Sequence, residues 1–326
     1  AGWHGGELQA RAPDQLTGPP AAARDPGSEF GSGRGAVIEE LSYYFFLTGF
    51  VVATIAAASY VINALGGMTT YRQAATSAGT VTIPIAGNAP KGAATVGKFC
   101  LHVAVVLLTL SIAFRAIAAE RPPLGNLWEY TIALGWGILL FTAVFEAAFK
   151  ERSLGTVMIP VSVGLMLVAL IFFPSTLTPL VPALQANRIL GIHVTTMILA
   201  YSALSISFGS AVLYLVQGGE TKRFERLPDG ETLSEIGYWS VLVGFPLLTL
   251  GIALGAYWAN SAWGRYWGWD PKETAAPFTW LVYAGYLHAR GLRGWEGNRA
   301  AWLLIGGFGA VLFTYFAVNF IFSGLH

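Results

Sequence analysis

The residues with the densest chemistry lie between positions 258 and 274, which read Trp258-Ala-Asn-Ser-Ala-Trp263-Gly264-Arg265-Tyr266-Trp267-Gly268-Trp269-Asp270-Pro271-Lys272-Glu273-Thr274. Four aromatic rings and one carboxylate fall within eight residues, 263 to 270. On a helix, Trp263, Tyr266, Trp267 and Asp270 would share one face, because their offsets are 0, 3, 4 and 7. Gly264 and Gly268 would let a flat ring approach the backbone. Such a surface suits a large planar apolar ligand with polar edges. A plain interfacial belt of Trp and Tyr is the alternative for any one of these rings; their density favours a ligand platform.

The chain has five histidines, at positions 4, 102, 193, 288 and 326. Two imidazoles beside an aromatic surface fit the axial ligands of a haem iron. His193 and His326 qualify only if the fold brings both to the side of the aromatic loop. Taken singly, each is better read as a polar residue at an interface. No Ser/His/Asp triad or metal-hydrolase spacing is present, so no catalytic nucleophile is assigned. The only metal expected is iron carried in haem. One cysteine, Cys100, excludes an internal disulfide, a Cys-x-x-Cys pair and a Cys-x-x-Cys-His haem attachment within this chain.

The elements that position these residues are membrane spans. Charged residues make up 11% of the chain and hydrophobic residues 54%, whereas soluble proteins carry roughly 25% charged residues. A net charge of +1 gives no field that would recruit nucleic acid. A span needs about 20 apolar residues, and eight such runs occur, near 41–65, 96–118, 130–148, 156–173, 193–216, 238–258, 275–292 and 300–322. The runs lack the alternation of barrel strands, so the fold class is an all-α, polytopic transmembrane bundle with an external aromatic loop. Residues 174–190 carry three prolines and read as a surface segment. Residues 1–38 are rich in Gly, Pro, Ala and Arg, and Gly27-Ser28-Glu29-Phe30-Gly31-Ser32-Gly33 reads like a cloning junction. They are set apart as a tag, linker or disordered lead, and residues 39–326 form the transmembrane domain, with residues 174–326 as its ligand-handling part.

Sidedness follows from the basic residues. The connections after spans 1, 3, 5 and 7 carry eleven: Arg72, Lys91, Lys98, Lys150, Arg152, Lys222, Arg223, Arg226, Arg290, Arg293 and Arg299. Those after spans 2, 4 and 6 carry four: Arg121, Arg188, Arg265 and Lys272. The first set is assigned to the cytoplasm, and both chain ends to the outside. Parity then places His193, the aromatic loop and His326 on one face, because each is separated from the next by an even number of crossings.

His288 differs. It lies about 20 Å along span 7, through a core of about 30 Å. An ionisable residue at that depth is a functional candidate; an interhelical hydrogen bond, or snorkelling beside Arg290, is the alternative. His102 reads as a core or interface residue, and His4 lies in the lead. Near the outer face, Asn126 is placed to cap span 3, with Glu129 three residues on as in a capping box. Trp128 and Glu129 remain open as ligand-side residues because they share that face.

The run Trp263-Gly264-x-Tyr266-Trp267-x-Trp269-Asp270-Pro271-Lys272-Glu273-Thr274 resembles the tryptophan-rich "WWD" motif of haem-handling proteins. With Trp280-Leu-Val-Tyr283 and Tyr286-Leu-His288-Ala-Arg290 following, it is similar to the CcsA (ResC) branch of system II cytochrome c biogenesis. Pro123-Leu-Gly-Asn126-Leu-Trp128-Glu129 resembles that branch's Pro-Leu-Ser-Asn-Leu-Tyr-Glu. The segments from Val181 to His193 and from Asn319 to His326 agree as well. The match covers roughly residues 41–326.

The resemblance implies haem b as substrate and ligand, with His193 and His326 as external axial ligands and His288 as a transmembrane haem contact. It implies attachment of haem to apocytochrome c at Cys-x-x-Cys-His, by a holocytochrome c synthase (haem lyase) complex with a CcsB (ResB)-like membrane subunit. A thioredoxin-like thiol reductant is a further implied partner. The setting is a bacterial plasma membrane, or a thylakoid membrane, with haem handled outside. A haem exporter or chaperone without attachment activity, and a system I haem-handling protein, are the other readings. An electron-transfer cytochrome would call for paired mid-membrane histidines, and only His288 lies well inside a span.

Overall fold

A computed structural model describes residues 26–66, 70–76, 79–85, 92–177, 188–220, 223–224 and 227–317. Among the described residues, eight helices form the bundle: α1 (Pro26–Gly66), α2 (Ala93–Ala119), α3 (Leu127–Phe149), α4 (Gly155–Phe172), α5 (Arg188–Gln217), α6 (Gly230–Trp263), α7 (Pro271–Arg293) and α8 (Gly297–Leu312). A π-helical turn, Phe313–Ala317, follows α8. Seven of the eight helices are long and apolar enough to cross a membrane. The exception is α7, which has the length of a span at 23 residues but a more polar composition. The chain is thus an all-α polytopic membrane protein.

Two features lie outside the sequence reading. Helix α1 begins at Pro26, so regular structure runs back into the stretch set apart as a lead. Between α1 and α2, Thr70–Thr76 (β1) and Gly79–Ile85 (β2) pair as an antiparallel hairpin, with Thr70 opposite Ile85 and Thr76 opposite Gly79. Thr and Tyr in the first strand and Thr, Val and Ile in the second suit extended backbone.

The core has two lobes. Helices α1 to α4 bury Phe46, Tyr60, Leu101, Leu108, Trp128 and Met166. Helices α3 to α8 enclose Ile138, Met158, Leu204, Leu248, Tyr283 and Phe308. In lipid, helices gain little by hiding apolar surface from one another, so close backbone approach and internal hydrogen bonds must hold them together. Helix α6 shows this against α5: an added Cβ at Gly237, Gly244 or Gly251 would fall within 3.0 Å of Ser210, Leu204 or Met197, respectively.

The ends of the bundle carry polar ties. At the end where α2 stops and α3 begins, the N–H of Glu129 donates to Asn126 Oδ1 at 2.8 Å. The predicted cap of α3 is therefore present, although the Glu129 carboxylate reaches the N–H of Gly125 rather than that of Asn126 (2.7 Å). The same carboxylate accepts from Arg115 Nε at 3.0 Å and from Arg121 Nη1 at 3.1 Å. Arg115 is 2% exposed and lies over the Trp128 ring, 4.7 Å from its centroid. Its Nη1 also stands 3.6 Å from Glu39 of α1. This knot joins α1, α2 and α3 at one end of the bundle.

Candidate functional site

His193 lies in the second turn of α5 and points across to α6. Its Nδ1 is 2.7 Å from the carbonyl oxygen of Gly251. A carbonyl can only accept, so Nδ1 carries the proton, and in the neutral ring the imidazole lone pair sits on Nε2. The same arrangement orients histidines that bind metals through Nε2. Gly255, one turn further along α6, lies under the ring: an added Cβ would stand 2.7 Å from His193 Cε1. Only glycine leaves room for the imidazole there. Gly255→Ala is therefore expected to push the ring off Gly251 and to cost about 1–3 kcal/mol, as overpacking a filled space does. A thermal melt of the purified variant, read as a lowered midpoint, checks this.

Helix α6 leads from Gly255 into the aromatic loop, and here the expectation of one helical face is corrected. Helix α6 stops at Trp263, and Gly264 ends it in the left-handed region at φ +70°. Residues 264–270 are irregular, and α7 starts after Asp270. Trp263, Tyr266, Trp267 and Asp270 accordingly share no helix face. Gly264 serves as a helix stop, and over Gly268 lies the guanidinium of Arg265.

The loop is shaped from its far end. Asp270 caps α7, accepting from the N–H of Lys272 at 3.0 Å in a capping box with Glu273, and Pro271 follows at the first helical position. Glu273 reaches back: one oxygen accepts from the N–H of Gly268 at 2.6 Å and from that of Asp270 at 3.3 Å. Between those two clamped amides, Trp269 takes φ +58°, a region that bulky side chains avoid. Its ring is 76% exposed and meets Trp267 edge-on at 5.9 Å. Tyr266 is exposed as well, whereas Trp258 is buried and packs edge-on against Trp263. The loop thus offers open aromatic faces above an anchored base. Glu273 is the residue that sequence reasoning missed here; its signal was the capping-box spacing from Asp270.

The neighbouring elements converge on the same end. Thr314, in the π-helical turn after α8, bonds to Thr279 Oγ1 (3.0 Å) and to the carbonyl of Ala275 (3.2 Å) in the first turns of α7. Tyr315 OH meets Thr131 Oγ1 of α3 at 2.8 Å. His326 and His4 lie outside the described residues, as does most of the segment between α4 and α5. Trp128 and Glu129 sit at this end too, inside the arginine knot and the α1–α3 core.

His288 is exposed on α7, in a stripe with Phe278, Leu281, Gly285 and Leu292. Among the described residues it makes no hydrogen bond or ion pair. Arg290 turns the other way, donating to Ser234 Oγ at 2.8 Å and lying over Tyr238 at 4.6 Å. His102 is exposed near the start of α2, with Nδ1 2.8 Å from the carbonyl of Lys98.

Residues 124–326 match the cytochrome C assembly protein family. The chain is 38% identical over 248 residues to the cytochrome c biogenesis protein CcsA of Guillardia theta, covering 69% of this chain and 82% of that one. It is 34% identical over 283 residues to the CcsA protein of Microcystis aeruginosa, covering 71% and 86%. The CcsA protein of Chlamydomonas reinhardtii is 38% identical over 239 residues, covering 70% and 67%. Among solved structures, the cytochrome c heme lyase CcmF superposes with a TM-score of 0.64 at 16% identity, over 86% of this chain and 46% of that one. That likeness is one of fold.

Proposed function

The chain belongs to the cytochrome c assembly protein family, in its CcsA branch, and from that premise we propose that it holds haem at its aromatic loop for attachment to apocytochrome c. The observation that carries this reading is His193, fixed through Nδ1 on Gly251, with its lone pair on Nε2 at the end where α6 runs into the exposed rings. His193 and His326 are the axial ligands, and Trp263, Gly264, Tyr266, Trp267, Trp269 and Asp270 form the platform. Trp269 and Tyr266 supply open faces, and Asp270 sets the base of the loop. Ligation on both faces of the iron holds the ring in one orientation and leaves its vinyl edge to the thiols of a Cys-x-x-Cys-His segment.

This chain contributes binding, orientation and proximity. A CcsB-like subunit and the apocytochrome complete the reaction. His288 is the inner station: an imidazole that faces out of the bundle and has no partner among the described residues suits a haem or partner helix lying against α7 better than it suits bare lipid. Haem then passes from α7 to the loop before attachment.

The test is reconstitution of the chain with a CcsB-like subunit, haem and an apocytochrome peptide under thiol-reducing conditions. Thioether-bound haem, read as an absorbance shift in the pyridine haemochrome, is the expected product. Haem transfer without covalent bonds would replace the synthase reading with that of a carrier.

A further inference from the structure

At the opposite end of the bundle from the aromatic loop, a cleft of about 300 Å³ opens between the start of α2 and the α3–α4 connection. Thr95, Lys98, Phe99, His102 and Arg152 line it. Two permanent cations therefore face one small volume. Among the described residues neither makes an ion pair. Glu146, whose carboxyl feels the charge of both, is itself taken up by the hydroxyl of Tyr60 at 2.6 Å and the N–H of Gly155 at 2.9 Å. The cleft thus has a positive charge that no ion pair among the described residues satisfies.

Its depth and its surroundings narrow the occupant. Lys98 is five residues into α2, about 8 Å from the helix end. That is the level of lipid headgroups once α2 spans a bilayer. From the cleft, an exposed apolar stripe runs along α2 through Phe99, Val106, Leu110 and Ile117, all on one helix face by their spacing. A charged mouth continuous with an apolar lane matches an anion that carries hydrocarbon chains. Basic pockets between transmembrane helices on the cytoplasmic side recognise acidic headgroups in this way.

We propose that this cleft seats the phosphate of an anionic phospholipid, with Lys98 and Arg152 as its counter-charges and the acyl chains laid along α2. Thr95 and His102 stand at the rim as polar neighbours of the headgroup. The bound lipid fastens the first lobe of the bundle at the membrane surface, away from the haem-handling face.

Native mass spectrometry of the full chain in detergent, titrated separately with phosphatidylglycerol and phosphatidylcholine, tests this. The unaltered protein is expected to retain phosphatidylglycerol in preference to phosphatidylcholine. Each surface cation contributes about a fivefold factor to binding of an acidic lipid, so Lys98→Gln with Arg152→Gln should reduce phosphatidylglycerol retention by roughly 25-fold. The charge-preserving pair Lys98→Arg with Arg152→Lys should keep most of the preference. Inorganic phosphate should not displace the lipid, because it lacks the chains. Equal retention of the two lipids by the unaltered protein would overturn the proposal, without needing any variant to fold. So would a preference that survives the double glutamine change, displacement by inorganic phosphate, or displacement by haemin.

Discussion

His193→Ala is expected to lose haem by more than the roughly 10- to 100-fold that removing the hydrogen-bond partner of a metal ligand costs a metal site. On the proposed ligation the substitution removes an axial ligand outright, while most of the α5–α6 packing stays. His193 is only partly buried, so little stability depends on its ring. The space it vacates, bounded by Gly255 and the carbonyl of Gly251, is the size of the imidazole removed. Added imidazole should therefore restore part of the haem spectrum. His326→Ala should behave alike if both faces of the iron are ligated. Haem content per folded protein and the Soret band are the measurements; an unchanged spectrum in both variants would remove the axial-ligand assignment.

Glu129→Ala should damage the fold rather than the haem site. One carboxylate there accepts from both Arg115 and Arg121 and also holds the N–H of Gly125. Removing it strands the Arg115 guanidinium, 2% exposed, with only the more distant Glu39. Breaking a buried pair from one side costs about 3–5 kcal/mol, enough to lower the thermal midpoint by several degrees. Haem bound per folded molecule should stay the same. A normal midpoint with lost haem would instead make Glu129 a haem-contacting residue.

Much of the bundle could be read along the chain because hydrophobic runs of span length leave few alternatives in lipid. Seven of those runs became apolar helices, and α7 formed despite its weaker composition. The Asn126 cap was legible because it acts within three residues. The arginine knot was not: Arg115 and Glu129 sit on different helices, and an arginine inside an apolar run gives no sign of its partner. The loop was misread for the opposite reason. Its aromatic spacing imitates a helix, while Gly264 and the Asp270-Pro271 start of α7 break it at both ends. The hairpin after α1 was overlooked beneath the stronger signal of the spans.

The left-handed backbone at Trp269 carries a thermodynamic implication for the loop. An unfavourable conformation of this kind costs about 1–3 kcal/mol, and glycine would relieve most of it. Position 269 is therefore a place where stability and the proposed ligand handling pull in opposite directions. A screen for thermal tolerance alone should favour glycine there, and in doing so would discard the most exposed ring of the platform. The two N–H groups held by Glu273 are what keep the tryptophan displayed against that standing preference.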